Sequence, residues 1–204
     1  YGVDYSEFTL EKGLSNLNIK PDDITDVIFT HLHFDHAGGA TYFNEDKQPE
    51  LTFKNAVYYV QEKHLDWALN PSERDKASFF PENYQPIIDA KQIKIVNDEY
   101  KFDDFITLLP LNGHTRSMQM IKVSDEKETL MYLADLIPMA AHIPLPYIMG
   151  YDLFPLVTLE EKRKYLKEIS ENNYTVFFEH DPYVEAGKVS LNEKSYYLKE
   201  KFNI

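Results

Sequence analysis

Metal-binding side chains are concentrated in residues 31–36, which read His-Leu-His-Phe-Asp-His. Three of the chain's seven histidines fall in this stretch, with one aspartate among them. Imidazole nitrogen and carboxylate oxygen are the usual protein ligands of zinc and similar divalent ions. Because the chain contains no cysteine, a metal site must be built from His, Asp and Glu. The stretch therefore predicts a metal site.

The spacing within this stretch favours a site for two neighbouring ions. His31 and His33 are two residues apart, so in an extended segment their side chains point the same way. Asp35 and His36 come after the chain is expected to begin turning, so they can face a second ion. Gly38 and Gly39 follow them and allow a tight backbone turn behind the ligands. One segment can thus supply ligands to two metals.

Three further candidates each follow an apolar run. His114 lies between two predicted strands, and Asp135 and His180 each come directly after a predicted strand. Site residues are commonly held at the ends of strands, in loops carried by a rigid scaffold. These positions make the three side chains further candidates for a functional site.

The elements that must position these residues alternate between strands and helices. Helices are expected at residues 6–17, 61–69 and 158–170. The last is expected to have a capping box formed by Thr158 and Glu161, and its Leu159, Leu166 and Ile169 can face the core. Strands are expected at residues 26–30, 56–60, 92–96, 105–109, 118–123, 129–134 and 174–178. The proline-rich residues 138–155 are expected to form a loop. The pattern predicts one α/β domain over residues 1–204.

Charge and composition limit the partners. The formal net charge of −13, without clustered Lys or Arg, argues against nucleic acid. No run of about 18 apolar residues is present to span a membrane. Residues 1–11 show no signal-peptide pattern, so a cytoplasmic location is expected. We expect a small-molecule substrate, no nucleic acid and no membrane, and a homodimer stays open.

The order of these motifs resembles that of the metallo-β-lactamase superfamily. His-x-His-x-Asp-His at residues 31–36 is followed by Gly-His-Thr at 113–115, then by Asp135 and His180 after strands. The resemblance implies a four-layer αββα sandwich. Its members open with β-strands before the first motif, whereas this sequence begins with the helix that normally follows them. We therefore expect the first N-terminal strands to be missing from the sequence.

The resemblance also implies the role of each residue. The implied ligands are His31, His33 and His114 for one metal, Asp35, His36 and His180 for the second, and Asp135 for both. A hydroxide shared between the ions would be the nucleophile, and Asp35 could orient it as a catalytic residue. Two divalent ions are expected, zinc first, with iron, manganese or cobalt as alternatives.

Within the superfamily, the sequence resembles the acyl-homoserine-lactone lactonase and methyl-parathion-hydrolase-like group most. The absence of cysteine, the presence of Asp135, and His33 where flavodiiron proteins carry Glu set other branches aside. The segments that carry this resemblance are residues 134–138, 142–146, 151–155 and 178–182. One departure is Pro138, because lactonases place a tyrosine there. The phenol would then come from Tyr147 or Tyr151, or be missing.

The predicted function is binuclear metal-dependent hydrolysis of a small ester, lactone or phosphotriester. His142 is the second catalytic candidate, as a residue that contacts the substrate. The open alternatives are a mononuclear enzyme, a glyoxalase II-like thioester hydrolase, and a non-catalytic metal-binding module of the same fold.

Overall fold

The computed structural model describes residues 9–203. The chain forms two compact units. The first runs up to Val60 and includes Ala68–Ile95, and the second contains Gln61–Trp67 and the chain from Val96 onward. The expectation of a single domain across residues 1–204 stays a prediction.

The first unit holds short helices and strands. In chain order they are α1 (Leu10–Asn16), β1 (Asp26–Ile28), α2 (Phe34–Ala37), β2 (Thr41–Phe43), β3 (Pro49–Leu51), β4 (Val57–Gln61), α3 (Glu62–Leu69), α4 (Gln85–Asp89) and β5 (Ile93–Val96). The last residue of β4, the last residue of β5 and most of α3 belong to the second unit. The first helix was expected over residues 6–17, and residues 6–8 of that prediction lie outside the described chain.

A three-stranded sheet, in the order β1-β4-β5, organises the described part of the first unit. Strand β1 runs parallel to β4, with Asp26 opposite Val57. The pairing continues past β1, since the Phe29 amide donates to the Tyr59 carbonyl at 3.1 Å. A separate hairpin of β2 and β3 was not predicted, because each strand has only three residues. The sheet fixes the direction in which the chain enters residues 31–36.

The second unit holds the longer elements. They are β6 (Tyr100–Lys101), β7 (Ile106–Leu111), β8 (Met118–Ser124), β9 (Thr129–Tyr132), α5 (Pro155–Asn172), β10 (Thr175–Phe177), β11 (Ala186–Leu191) and β12 (Tyr196–Phe202). Over the described residues, the seven strands form one sheet in the order β12-β11-β10-β9-β8-β7-β6. Strands β11 and β12 were not predicted.

Strand direction in this sheet decides where the following residues lie. Strand β7 is antiparallel to β8, β8 is antiparallel to β9, and β9 is parallel to β10. Strands β7, β9 and β10 therefore run the same way, and their carboxyl ends meet at one edge. The parallel pair needs a long crossover, which α5 supplies.

Helix α5 covers this sheet with one apolar face. Leu166 and Ile169 on α5 are fully buried and share a core with Met118 and Met120 of β8 and Met131 of β9. Burying each such side chain stabilises the fold by about 1.5–3 kcal/mol. The prediction of core-facing residues is confirmed for Leu166 and Ile169, whereas Leu159 is only half-buried.

The start of α5 differs from the prediction. The helix begins at Pro155, since proline is tolerated in a first turn where no amide donor is needed. Thr158 therefore lies inside the helix, so the predicted capping box with Glu161 is wrong. Both side chains bond to other parts of the second unit instead. Of the predicted loop at residues 138–155, residues 138–154 are a loop apart from a short 3-10 helix at Ala140–His142, and Pro155 is already the first residue of α5.

Candidate metal centre

In the first unit, the predicted metal motif follows β1 and turns at His33. His33 is extended and occupies the N-cap position of α2. Its carbonyl accepts from the amides of His36 and Ala37, at 3.0 and 2.9 Å. His31 and His33 thus lie on extended chain, and Asp35 and His36 lie on the first helical turn, as the spacing suggested.

The three imidazoles of this motif lie side by side. The ring centroids of His31 and His33 are 4.6 Å apart, and those of His31 and His36 are 4.0 Å apart. His31 and His33 are buried, whereas the Asp35 carboxylate is 41% exposed and lies 3.6 Å from His36 Nε2. The arrangement concentrates nitrogen donors in one small volume.

Neighbouring side chains orient these rings. The Thr30 hydroxyl lies 3.1 Å from His31 Nδ1. If Nδ1 carries the proton and donates, Nε2 keeps the lone pair that a metal requires. Phe79 packs edge-on against His33, with 4.8 Å between ring centroids, and Phe80 stacks on Phe34 at 5.0 Å. Two aromatic residues therefore support the motif in this unit.

In the second unit, the three remaining candidates converge at one sheet edge. His114, Asp135 and His180 follow β7, β9 and β10, whose carboxyl ends meet there. The Asp135 carboxylate lies between the two imidazoles: Oδ2 is 3.0 Å from His114 Nε2, and Oδ1 is 3.3 Å from His180 Nε2. A carboxylate that offers one oxygen to each of two histidines has the form that a bridging ligand needs.

The residue before Asp135 has a strained backbone conformation. This residue, Ala134, is buried and has a φ of 48°. This left-handed conformation costs a residue with a Cβ roughly 1–2 kcal/mol. It ends β9 and turns the Asp135 side chain out of the strand register. The predicted strand at residues 129–134 accordingly ends at Tyr132.

Asp152 is a candidate site residue that the sequence did not reveal. Its Oδ1 lies 3.0 Å from His114 Nδ1, and its Oδ2 accepts from the Thr158 hydroxyl at 2.7 Å. The Asp152 side chain is 1% exposed. A carboxylate on Nδ1 fixes the imidazole so that Nε2 faces Asp135 and can serve as a ligand. In the sequence it was one aspartate within a segment expected to be loop.

The two carboxylates also control the charge of His114. Burial alone would lower the pKa of His114, but hydrogen bonds and charges from Asp135 and Asp152 outweigh it and raise that pKa to about 9. Such an environment favours a cation at this position.

Helix α5 holds the loop that carries His114. The Glu161 carboxylate accepts from the amides of Asn112 and Gly113, at 2.6 and 3.0 Å. Gly113 packs directly on the helix, because a Cβ there would come within 2.6 Å of both Thr158 Cα and Thr158 N. The glycine therefore sets how closely His114 approaches the other candidates.

We expect Gly113→Ala to destabilise the protein by about 1–3 kcal/mol, as overpacking does elsewhere. It should also weaken metal binding, because the loop must move away from α5 and shift His114. Denaturant unfolding and metal titration measure the two effects. Gly150→Ala is the control, since a Cβ there meets nothing within 4 Å. Unchanged stability in Gly113→Ala would contradict this packing argument.

Glu179 is a second residue that sequence reasoning missed. One ligand atom from each of Asp135, Glu179 and His180 lies within 4.8 Å of the other two. Burial, followed by the charge and hydrogen bond of Glu179, raises the pKa of Tyr132. The sequence could have indicated Glu179, because it is a carboxylate residue directly before the predicted ligand His180.

His142 lies in the loop before α5. Over the described residues, its buried Nδ1 has no hydrogen-bond partner. Burial, and then the charge of Lys162, lower the pKa of His142, which favours the neutral form of its imidazole. The charges of Asp152 and Asp135 also act on it. Tyr147 and Tyr151, the alternative sources of a phenol, are 59% and 79% exposed.

The donor set fits divalent cations. It consists of imidazoles and carboxylates without thiolates, and most of its members are buried. A buried carboxylate between two histidines, and a second carboxylate behind one of them, are the first and outer layers of a typical metal site. The seventh histidine, His64, is separate: its Nδ1 lies 2.7 Å from the Arg116 carbonyl oxygen, a structural contact.

Comparison with known proteins assigns the family. A family model described as the metallo-beta-lactamase superfamily matches residues 2–180. The chain belongs to this superfamily. The expected α/β fold class is confirmed by this match and by the solved structures below.

Several known proteins resemble the chain. The N-acyl homoserine lactonase AiiA of Bacillus thuringiensis subsp. kurstaki is 26% identical over 172 residues, which cover 82% of this chain and 60% of that protein. The chain thus spans 60% of the length of this curated relative. A crystal structure of a probable metal-dependent hydrolase from Staphylococcus aureus matches with a TM-score of 0.85 and 26% identity, covering 100% of this chain and 72% of that one.

A third protein is similar in fold alone. AidC, described as a dizinc quorum-quenching lactonase in complex with a homoserine product, matches with a TM-score of 0.82 and 21% identity. The match covers 99% of this chain and 72% of that chain.

No helix within residues 9–203 has the length and apolar character to cross a membrane.

Proposed function

We propose that the protein is a metal-dependent hydrolase that opens the ester bond of a small lactone. The observation that carries this proposal is the Asp135 carboxylate, which offers one oxygen to His114 and the other to His180. The relatives named as N-acyl homoserine lactonases support a lactone over other esters and over a phosphotriester.

We propose that the superfamily's seven ligand positions are used here. His31, His33 and His114 would hold one metal, Asp35, His36 and His180 the other, and Asp135 both. Two divalent ions, with zinc expected first, would supply a water of lowered pKa and polarise the substrate's carbonyl oxygen. The donor chemistry supports this set, and Glu179 adds a carboxylate beside Asp135 and His180.

The chain's own side chains would orient the reactants. Asp135 and Asp152 hold His114 from both sides and keep its ring fixed. Asp35, the more exposed carboxylate, would orient the attacking water. The neutral imidazole of His142 would hydrogen-bond to the substrate or to the leaving alkoxide, within reach of the charge of Asp135.

The first experiment is elemental analysis of the protein at its natural length, paired with hydrolysis of a lactone, an aryl ester and an organophosphate triester. We expect about two metals per chain and activity that is lost on chelation and restored by metal. His33→Ala should lose metal and most activity, since it removes a buried donor.

His64→Asn is the matched control for removal of a buried imidazole, and its metal content should stay at the wild-type value. No bound metal and no hydrolysis after metal addition would refute the proposed function and favour a non-catalytic module. Hydrolysis of the triester without the lactone would refute the lactone assignment alone. Bound metal in His33→Ala equal to wild type would refute the ligand assignment.

A further inference from the structure

Lys162 is a buried cation that the proposed chemistry does not use. It lies on α5 and is 0% exposed. Lysine is almost never fully buried without a charged partner. Within residues 9–203, no carboxylate lies at ion-pair distance from its ammonium group. Burial lowers the pKa of Lys162 to about 8.

Backbone carbonyl groups surround this ammonium group instead. Its Nζ donates to the carbonyl oxygens of His142, Pro144 and Tyr147 at 2.6, 2.8 and 2.7 Å. The carbonyl of Leu145 lies at 3.3 Å. Because an ammonium has three hydrogens, the fourth oxygen must share one of them. Four carbonyl dipoles within six residues thus point at one charge.

The sequence of this loop explains why it needs such a donor. Residues 142–147 read His-Ile-Pro-Leu-Pro-Tyr, and the two prolines have no amide hydrogen. The loop cannot pair its carbonyls in a regular ladder, yet buried carbonyls require donors. Ile143, which is 1% exposed, anchors the loop in the core. Lys162 supplies the donors from the neighbouring helix.

We propose that Lys162 is a positioning residue: its ammonium group fixes the backbone of residues 142–147 and thereby sets where the His142 imidazole stands. The shortest of its four contacts is to the carbonyl of His142 itself. The catalytic consequence rests on the proposed function, whereas the loop-ordering consequence does not.

The first test measures loop order without any substrate. In the protein at its natural length, the amides of His142, Ile143 and Tyr147 are hydrogen-bonded, to Met139, Ala140 and Pro144 respectively. Lys162→Met removes the charge at similar size. We expect faster hydrogen exchange at these amides, with exchange in β8 and β9 unchanged.

The control variant for exchange is Lys167→Met, on the same helix with a side chain that is 67% exposed. It should exchange like wild type throughout. If Lys162→Met fails to fold, Lys162→Gln retains two N–H donors and should show exchange between wild type and full loss of protection. Wild-type exchange over residues 142–147 in the variant that folds would overturn the proposal.

The second test separates positioning from general stability. A displacement of a reacting group by about 1 Å can cost about 100-fold, so we expect kcat/KM for the lactone to fall about 10- to 100-fold in Lys162→Met. In a His142→Ala background the same substitution should cost less than about 3-fold, because the group it positions is gone. An equal loss in both backgrounds would overturn the positioning role. A wild-type protein that hydrolyses no lactone would refute the proposed function, while hydrogen exchange would still decide whether Lys162 holds the loop.

Discussion

Asp135→Asn is expected to reduce bound metal from about two ions per chain to about one or fewer, and to lower lactone kcat/KM by more than about 100-fold. The side chain keeps its shape, but it loses its charge and one of its two oxygens. Asp135 now offers one oxygen to His114 and one to His180, so an amide can serve only one side. The nitrogen of that amide cannot bind a metal.

Elemental analysis and steady-state kinetics on the same preparation measure both effects of Asp135→Asn. Asp125→Asn is the matched control, because Asp125 lies in an exposed turn away from the candidate site. Its carboxylate accepts hydrogen bonds from the amides of Lys127 and Glu128. It should keep wild-type metal content and activity. Full metal content in Asp135→Asn would show that Asp135 is not shared between ions, and the ligand set would need revision.

The sequence predicted the candidate residues of the second unit because a simple rule governs them. His114, Asp135 and His180 each follow a strand, and β7, β9 and β10 run in the same direction. Side chains just beyond the carboxyl ends of such strands necessarily lie near one another. Apolar runs and their polar ends are visible in a single sequence, whereas the strand order and directions that bring these ends together are seen only in the fold.

Residues that act from outside the first layer of ligands could not be predicted in the same way. Asp152 reaches His114 because α5 begins at Pro155 and brings its first turn against Gly113. The sequence placed the helix start three residues later and read Thr158 as its cap. The capping rule failed here because the Thr158 hydroxyl makes a tertiary hydrogen bond to Asp152 instead of capping the helix.

Lys162 illustrates the same limit. In the sequence it is one of several charged residues on an amphipathic helix, and such residues usually face solvent. Only the folded loop reveals why it is buried, because the carbonyls that bind it come from residues 142–147. Local patterns predict which residues are apolar enough to pack, whereas the partners of a buried charge depend on the path of a distant segment.

Asp152→Asn is expected to weaken metal binding and lower kcat/KM about 10- to 100-fold, the range seen when outer partners of metal ligands are removed. The amide can still accept a hydrogen bond from His114 Nδ1, but it no longer places a negative charge behind the imidazole. Asp135 and Asp152 both raise the pKa of His114, and this variant removes the charge of one of them. We therefore expect the pKa of His114 to fall. Metal titration by calorimetry, together with the pKa of His114 by NMR in metal-free protein, checks both expectations.

Thr158→Val distinguishes the charge of Asp152 from its orientation. It removes the hydroxyl that donates to Asp152 Oδ2 at 2.7 Å and keeps the carboxylate. We expect a smaller loss of metal affinity than in Asp152→Asn and a His114 pKa close to that of wild type. If Thr158→Val weakens metal binding as much as Asp152→Asn does, then the position of the carboxylate matters more than its charge. If neither variant changes metal affinity, the contact between Asp152 and His114 does not act on the candidate metal centre.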